Sequence, residues 1–171
     1  KIPLYVFFEL TRRCNIRCTH CYIAREKRRE LSTIEIKNAI DQLRDENSLI
    51  LNFSGGEVFT RPDFMDIARY AREKGFAVKL FTNGTLIDNA AAKEIAGLKP
   101  LRVEITIFRT IAKSLDGITG MNGSLEKSLN ALRLLSKYGV HLRLKSPLLK
   151  HNAPGYADVI RLAKELGAKY Q

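Results

Sequence analysis

Leu49-Ile50-Leu51-Asn52-Phe53 runs straight into Ser54-Gly55-Gly56-Glu57, and this stretch decides the fold. A short β-rich run halted by two glycines is a strand ending in a loop. After it the apolar period changes: Phe64, Ile67, Ala68 and Ala71 recur at three and four, the stripe of a helix with Pro62 at its first turn and Gly75 closing it. Residues 76–81 then read as strand again and lead into Thr82-Asn83-Gly84. Strand, glycine-rich loop, helix, strand is one parallel βαβ unit.

The same pattern extends in both directions. Upstream, residues 4–10 read as a first strand. Ser32-Thr33-Ile34-Glu35 is a capping box that opens a helix with Ile36, Ala39, Ile40 and Leu43 inside. Downstream, Asp88 caps a short helix ending near Gly97, and residues 101–108 form a fourth strand. After a loop, Ser124 caps a helix whose core positions are Leu125, Leu129, Leu132 and Leu135. Residues 140–144 are a fifth strand, Pro154 starts a helix through Leu166 that Gly167 closes, and Ala168-Lys169-Tyr170-Gln171 opens a sixth strand. Such crossovers are right-handed and coil a parallel sheet into an open doubly wound form or a barrel. In either form the loops after the strand ends share one face. The segment after the first strand, Gly55-Gly56-Glu57, Thr82-Asn83-Gly84 and the segment after Phe108 therefore surround one site.

Composition narrows the class. The 171 residues fit one domain, and 45% hydrophobic content is enough for a core, which excludes a disordered chain. No apolar run reaches membrane-spanning length. Lys1-Ile2-Pro3-Leu4-Tyr5-Val6-Phe7-Phe8 is too short for a signal peptide and reads as a buried first strand. The formal charge of +11 suits an anionic partner: nucleic acid, an acidic peptide or an anionic cofactor. The one local cluster, Arg25-Glu26-Lys27-Arg28-Arg29-Glu30, contains two glutamates and reads as a solvated loop, and no nucleic-acid motif accompanies it.

All three cysteines fall in Cys14-Asn15-Ile16-Arg17-Cys18-Thr19-His20-Cys21, a C-x3-C-x2-C spacing directly after the first strand. An odd, clustered count argues against a disulfide framework and for a reducing cytoplasm, where gathered thiolates serve metals. Thiolates suit zinc or an iron–sulfur cluster. A cubane cluster ordinarily takes four cysteines, so three leave one iron open to an outside ligand, as the open position does in catalytic zinc. The rival site, zinc on Cys14, Cys18, Cys21 and His20, needs the adjacent His20 and Cys21 to reach one tetrahedral ion. His141 and His151 are remote along the chain.

These residues resemble the radical S-adenosylmethionine (SAM) enzymes. The resemblance is carried by Cys14, Cys18 and Cys21 followed by Tyr22, by Gly55-Gly56-Glu57 after the second strand, by Thr82-Asn83-Gly84-Thr85-Leu86, and by Ile118-Thr119-Gly120 with Gly123-Ser124-Leu125-Glu126-Lys127. It covers essentially the whole chain and is similar to the SPASM/twitch-containing branch that matures peptides and peptide-derived cofactors. It implies an α/β fold, a partial (β/α)6 TIM-like barrel with a parallel sheet whose sixth strand is truncated at the C-terminus. Residues 1–171 would be the core domain of such an enzyme, with an auxiliary C-terminal cluster domain outside this chain.

The resemblance also implies chemistry. The cysteines would ligate a [4Fe-4S] cluster whose open iron chelates SAM, and reductive cleavage would release a 5′-deoxyadenosyl radical that abstracts hydrogen from the substrate. Gly55 and Gly56 would let backbone approach the ligand, and the Glu57 carboxylate would accept from the methionine ammonium. His20 holds a position where the family usually has an aromatic residue near adenine. Thr106 matches a position whose hydroxyl contacts the ribose; a plain strand threonine is the alternative. Asn83 and Lys145 end strands and reach toward the cofactor, Lys145 toward the methionine carboxylate or onto a solvated rim. Ser114-Leu115-Asp116-Gly117 resembles another version of the ribose motif but is spaced to lie beyond the strand. The implied partners are a peptide substrate and an external electron donor of flavodoxin or ferredoxin type. The alternatives are a radical SAM enzyme acting on a porphyrin precursor, a sulfatase or a nucleic acid, or a non-catalytic iron–sulfur or zinc module.

Overall fold

The computed structural model describes residues 3–23, 29–149 and 152–171. Residues 25–28 of the basic cluster and His151 lie outside them. Six strands, β1 (Tyr5–Thr11), β2 (Ile50–Gly55), β3 (Ala77–Thr82), β4 (Arg102–Thr106), β5 (Leu142–Lys145) and β6 (Lys169–Tyr170), line up in sequence order. All five neighbouring pairs are parallel. The crossovers carry α1 (Thr33–Asp45), α2 (Phe64–Glu73), α3 (Asn89–Leu98), the pair α4 (Ala112–Thr119) and α5 (Ser124–Lys137), and α6 (Tyr156–Glu165). Among the described residues β1 and β6 do not pair, so the sheet is a barrel left open. This is the expected partial (β/α)6 architecture, with β6 two residues long.

The strands alternate in character. Leu51, Phe53, Val78, Leu80, Val103 and Ile105 are all fully buried and pack with helix residues such as Ile36, Ile67 and Ile95. The other face is polar: Asn52 sits in register with Lys79, Lys79 with Arg102, and Glu104 with Arg143. A parallel sheet covered on both faces reads as continuous apolar runs. The alternation here marks a sheet whose concave side is reserved for polar contacts. On the β1 edge of that side Tyr5 and Phe7 are exposed, so the first strand is half-buried rather than buried as its composition suggested.

Local rules account for most boundaries. Ser32 and Glu35 form the expected capping box at α1, and Asp88 caps α3 by accepting from Ala91 N–H. Four readings change. Pro62 precedes α2 rather than starting it; a 3-10 turn (Val58–Thr60) comes first and Asp63 is the N-cap. Pro154 falls in a 3-10 turn (Ala153–Gly155) ahead of α6 rather than starting it, whereas α3 ends at Leu98, near Gly97 as expected, with Lys99 turning left-handed just ahead of Pro100. The loop expected after β4 contains α4, an eight-residue helix with Gly117 inside it and no side-chain cap, too short for periodicity to reveal. Finally, Ser124 is the first residue of α5, not its cap; Gly123 holds that place.

Candidate active site

The cysteine loop leaves β1 at Thr11 and is pinned at once by β2. Gly56 N–H donates to Thr11 O and Glu57 N–H to Arg13 O, both at 2.8 Å. A Cβ on Gly55 would lie 2.3 Å from Thr11 O, and one on Gly56 would lie 2.2 Å from Arg13 O. Gly55 also has φ +141°, a conformation that side chains disfavour. The glycines border the cavity described below. The atoms that forbid a side chain on them belong to the chain itself.

Glu57, expected to face a ligand, has other partners. Its side chain is 1% exposed and is not among the residues lining the cavity. One carboxylate oxygen accepts from the Thr82 hydroxyl at 2.8 Å and Phe59 N–H at 3.2 Å, the other from Asn83 N–H at 2.7 Å. Burial pushes its pKa up to about 6, outweighing those donors. Glu57 therefore ties the end of β2 to the end of β3.

The far side of the loop is held by α4. Arg17 N–H donates to Thr119 O at 2.7 Å and Thr19 N–H to Ile118 O at 2.9 Å. Asp116 caps the next helix, accepting from Gly123 N–H at 2.7 Å and from Ser124 N–H and hydroxyl at 2.9 and 2.8 Å. Thus Ser114-Leu115-Asp116-Gly117 does lie beyond the strand, and its acid serves α5. A third connection crosses to β3: Asn83, Asn15 and Thr85 hydrogen-bond to one another.

Between these anchors lies a cavity of about 510 Å³, within the usual range for a small-molecule site. Cys14, Cys18, Cys21, His20, Gly55, Gly56, Asn83, Thr106 and Lys145 all line it. Every residue singled out from sequence is brought to one place except Glu57. The His20 ring packs edge-on against Phe108 at 4.2 Å between centroids. Lys145 bonds Glu104 at 2.8 Å and lies 4.0 Å from the Phe81 ring centre. Burial would raise the carboxyl pKa of Glu104, which is 2% exposed, but Lys145 and Arg102 hold it below the ordinary value. Thr106 ends β4 in register with Lys145.

Sequence reasoning missed Asn15, Glu104 and Asp116 as parts of this site. The partners of Asn15 lie in the loop after β3, Glu104 pairs with Lys145 on β5 as well as with Arg102 on its own strand, and the partners of Asp116 lie at the start of the next helix. The signal available for Glu104 was its place on the polar face of an alternating strand, between Arg102 and Thr106.

The residues present fit a cluster with an open iron. Three thiols face one cavity, and no fourth cysteine exists in the chain. Burial pushes the Cys14 thiol up; Ile16 N–H and the Asn83 amide pull it down, while Glu57 and Cys21 add to the rise. Among the described residues no three His, Cys, Asp or Glu side chains converge on a single-ion site.

Residues 8–166 match the profile of the Radical SAM superfamily, and the chain belongs to that superfamily of enzymes. Its cofactors, by that membership, are a [4Fe-4S] cluster and SAM. The chain is 35% identical over 169 residues to an AdoMet-dependent heme synthase of Methanosarcina barkeri (strain Fusaro / DSM 804), covering 97% of this chain and 48% of that protein. It is 30% identical over 171 residues to the antilisterial bacteriocin subtilosin biosynthesis protein AlbA of Bacillus subtilis (strain 168), covering 98% and 38%. Its fold matches Streptococcus suis SuiB bound to S-adenosylmethionine with a TM-score of 0.87 at 17% identity, covering 98% of this chain and 39% of that one. The chain thus spans half or less of the length of these proteins. No described helix is long and apolar enough to cross a membrane.

Proposed function

We propose that Cys14, Cys18 and Cys21 hold the [4Fe-4S] cluster, that SAM lies against Gly55, Gly56 and the ends of β3 to β5, and that the substrate is a ribosomal peptide or peptide-derived cofactor precursor. The observation that carries this is the convergence of three thiols and four strand-end segments on one cavity of about 510 Å³. Bound there, cluster and SAM supply reductive cleavage of the sulfonium and a carbon radical that abstracts hydrogen.

The chain's own residues bind and orient. Lys145, kept in place by Glu104, offers its ammonium to the methionine carboxylate. Thr106 offers a hydroxyl to the ribose. The His20 ring, braced on Phe108, flanks the adenine. Glu57 acts at one remove, by fixing the Asn83 backbone. Three clustered thiols suit a reducing cytoplasm, and an external electron donor of flavodoxin or ferredoxin type would serve the enzyme there. Residues 1–171 form the core domain, and an auxiliary cluster-binding region belongs to the complete enzyme.

The peptide reading is supported by two kinds of relative: AlbA, named for bacteriocin biosynthesis, and SuiB, whose fold is shared and which has been crystallised with its precursor peptide SuiA. One observation favours a second reading. The concave face presents Lys79, Arg102, Arg143 and Lys145 against Glu9 and Glu104, and this excess of cations suits the carboxylates of a tetrapyrrole as well as an acidic peptide. The heme synthase relative points the same way.

Anaerobic reconstitution followed by dithionite and SAM tests the chemistry. Wild type is expected to form 5′-deoxyadenosine and Cys18→Ala to bind no cluster and form none. Retained turnover by Cys18→Ala, or a fully loaded wild type that leaves SAM intact, would sink the reading. Adding a precursor peptide encoded beside the gene, or a porphyrin precursor, then separates the two substrates by which one is consumed.

A further inference from the structure

We propose that Asn83 is a redox-positioning residue: its side-chain amide donates a hydrogen bond to Cys14 Sγ and so favours the reduced state of the cluster held by that cysteine. The proposal rests on the cluster reading above.

Thr85 N–H donates to Asn83 Oδ1 at 2.8 Å, and the Thr85 hydroxyl donates to the same oxygen at 2.6 Å. A backbone N–H cannot accept, so the oxygen of the Asn83 amide must face Thr85, and its NH2 must face the other way. Asn15 Nδ2 donates to Thr85 Oγ1 at 2.8 Å, and Asn83 Nδ2 donates to Asn15 Oδ1 at 3.0 Å. The three side chains form a closed ring in which each hydrogen bond fixes the direction of the next. An amide carries two N–H protons. One is spent on Asn15, and the nitrogen lies 3.9 Å from Cys14 Sγ, a long hydrogen bond to the larger sulfur atom.

The backbone of Asn83 is held as firmly. Its N–H donates to buried Glu57 at 2.7 Å, and its carbonyl accepts from the Ser128 hydroxyl at 2.8 Å. The amide is thus aimed at the sulfur by contacts from β2, α5 and the cysteine loop itself. Reduction adds negative charge that is shared by the cluster's sulfurs, and donors to those sulfurs stabilise the reduced form. A partly desolvated cavity strengthens the effect.

The test is an EPR-monitored redox titration of reconstituted holoprotein, with iron and sulfide counted in each sample. Asn83→Leu removes the donor. With a full cluster it is expected to show about a tenfold lower ratio of reduced to oxidised cluster at a fixed poise, about 59 mV for a one-electron couple. Thr85→Val leaves the donor and the Thr85 N–H that orients it but removes the second bond to Asn83 Oδ1 and the acceptor for Asn15; a smaller fall of the same sign is expected, and Thr85→Ser should restore the wild-type potential. A residue that merely holds the fold would alter cluster loading, not the potential of loaded protein. An unchanged potential in loaded Asn83→Leu overturns the proposal; should that variant fail to load, an unchanged potential in loaded Asn83→Ala, which also lacks the donor, overturns it. A wild type that gives no [4Fe-4S] signal under any reductant removes the underlying reading instead.

Discussion

On the β2 side of the cysteine loop Glu57 collects Phe59 N–H, Asn83 N–H and the Thr82 hydroxyl. On the α4 side Asp116 collects the backbone N–H groups of Gly123 and Ser124 and the Ser124 hydroxyl. Glu57 has three donors and Asp116 four, Leu125 N–H at 3.4 Å being the last, and their pKa values move in opposite directions. Glu57 is 1% exposed, and burial carries its pKa up to about 6. Asp116 is half-buried; burial works against its charge too, but the Gly123, Ser124 and Leu125 donors win and hold its pKa below 3.8. Hydrogen-bond number alone does not decide the state of a buried acid; the remaining access to water does. The β2 anchor is dry and rigid, and the α4 anchor is wetter and more forgiving.

The largest expected effect is at the dry anchor. Gly56→Ala forces a methyl to 2.2 Å from Arg13 O, a backbone atom that cannot swing away. We expect about 3 kcal/mol or more of lost stability, since overpacking a well-filled site costs roughly 1–3 kcal/mol and here the loop entry must move. Urea unfolding of the cluster-free chain measures the loss, and iron content after reconstitution should fall with it. A fully stable, fully loaded Gly56→Ala would show that the loop entry is not constrained as described.

Glu57 gives the next effect, and its sign is specific. Its folded pKa, about 6, exceeds the ordinary 4.5. Between those values the folded chain holds a proton that the unfolded chain has lost. Stability therefore falls as pH rises from about 4.5 to about 6 and is level above that. The total is roughly 2 kcal/mol for a shift of this size. Glu57→Gln should abolish this slope while leaving a pH-independent loss from its misplaced amide. A wild-type stability that rises across that window would break the contrast with Asp116.

How much of this could be read from the chain depends on the range of the physics. Leu51, Phe53, Val78 and Leu80 declare the helix-facing side of the sheet, because strand periodicity is local and the core rewards it. The cysteine spacing and its place after β1 are local too. The role of Glu57 is not: its partners Thr82 and Asn83 lie 25 and 26 residues away, and nothing in Gly55-Gly56-Glu57 says that the acid points inward. The same holds for α4, whose cap lacks a side-chain bond, and for Ser124, whose helix is capped by an acid eight residues earlier. Glycines at 55 and 56 were readable as a close approach; that the approaching atoms are Thr11 and Arg13 required the fold.

At the wetter anchor the corresponding glycine change should cost less. Gly120 has φ +65°, and a Cβ there would meet Arg17 O at 3.2 Å, close but not impossible. Gly120→Ala is expected to lose about 1–2 kcal/mol, the usual penalty for a side chain in a left-handed conformation. Gly120→Asn should lose less, since asparagine tolerates that region. If Gly120→Ala matched Gly56→Ala in urea, the two anchors would be equally tight and the comparison would fail.

The smallest effect belongs to Asp116→Asn, and it tests the sign of the contrast rather than its size. Asparagine keeps one acceptor for Ser124 but turns an NH2 toward a group that must donate, so roughly 1 kcal/mol of capping is lost at neutral pH, in the range of other N-cap substitutions. The folded pKa of Asp116 lies below the ordinary 3.8, so its charge stabilises the fold at every pH above that value. The contribution fades as pH drops through the folded pKa. The gap between wild type and Asp116→Asn should therefore be constant from pH 7 to about pH 4 and narrow only as pH falls through the depressed folded pKa, where the Asp116 side chain becomes neutral. Glu57 has finished its own transition by then, in the other direction, so unfolding curves at pH 7, 5 and 3 separate the two acids without a second substitution. A gap that never narrows along the acid limb would mean that the shape of the Asp116 side chain, and not its charge, holds α5 to the far side of the cysteine loop.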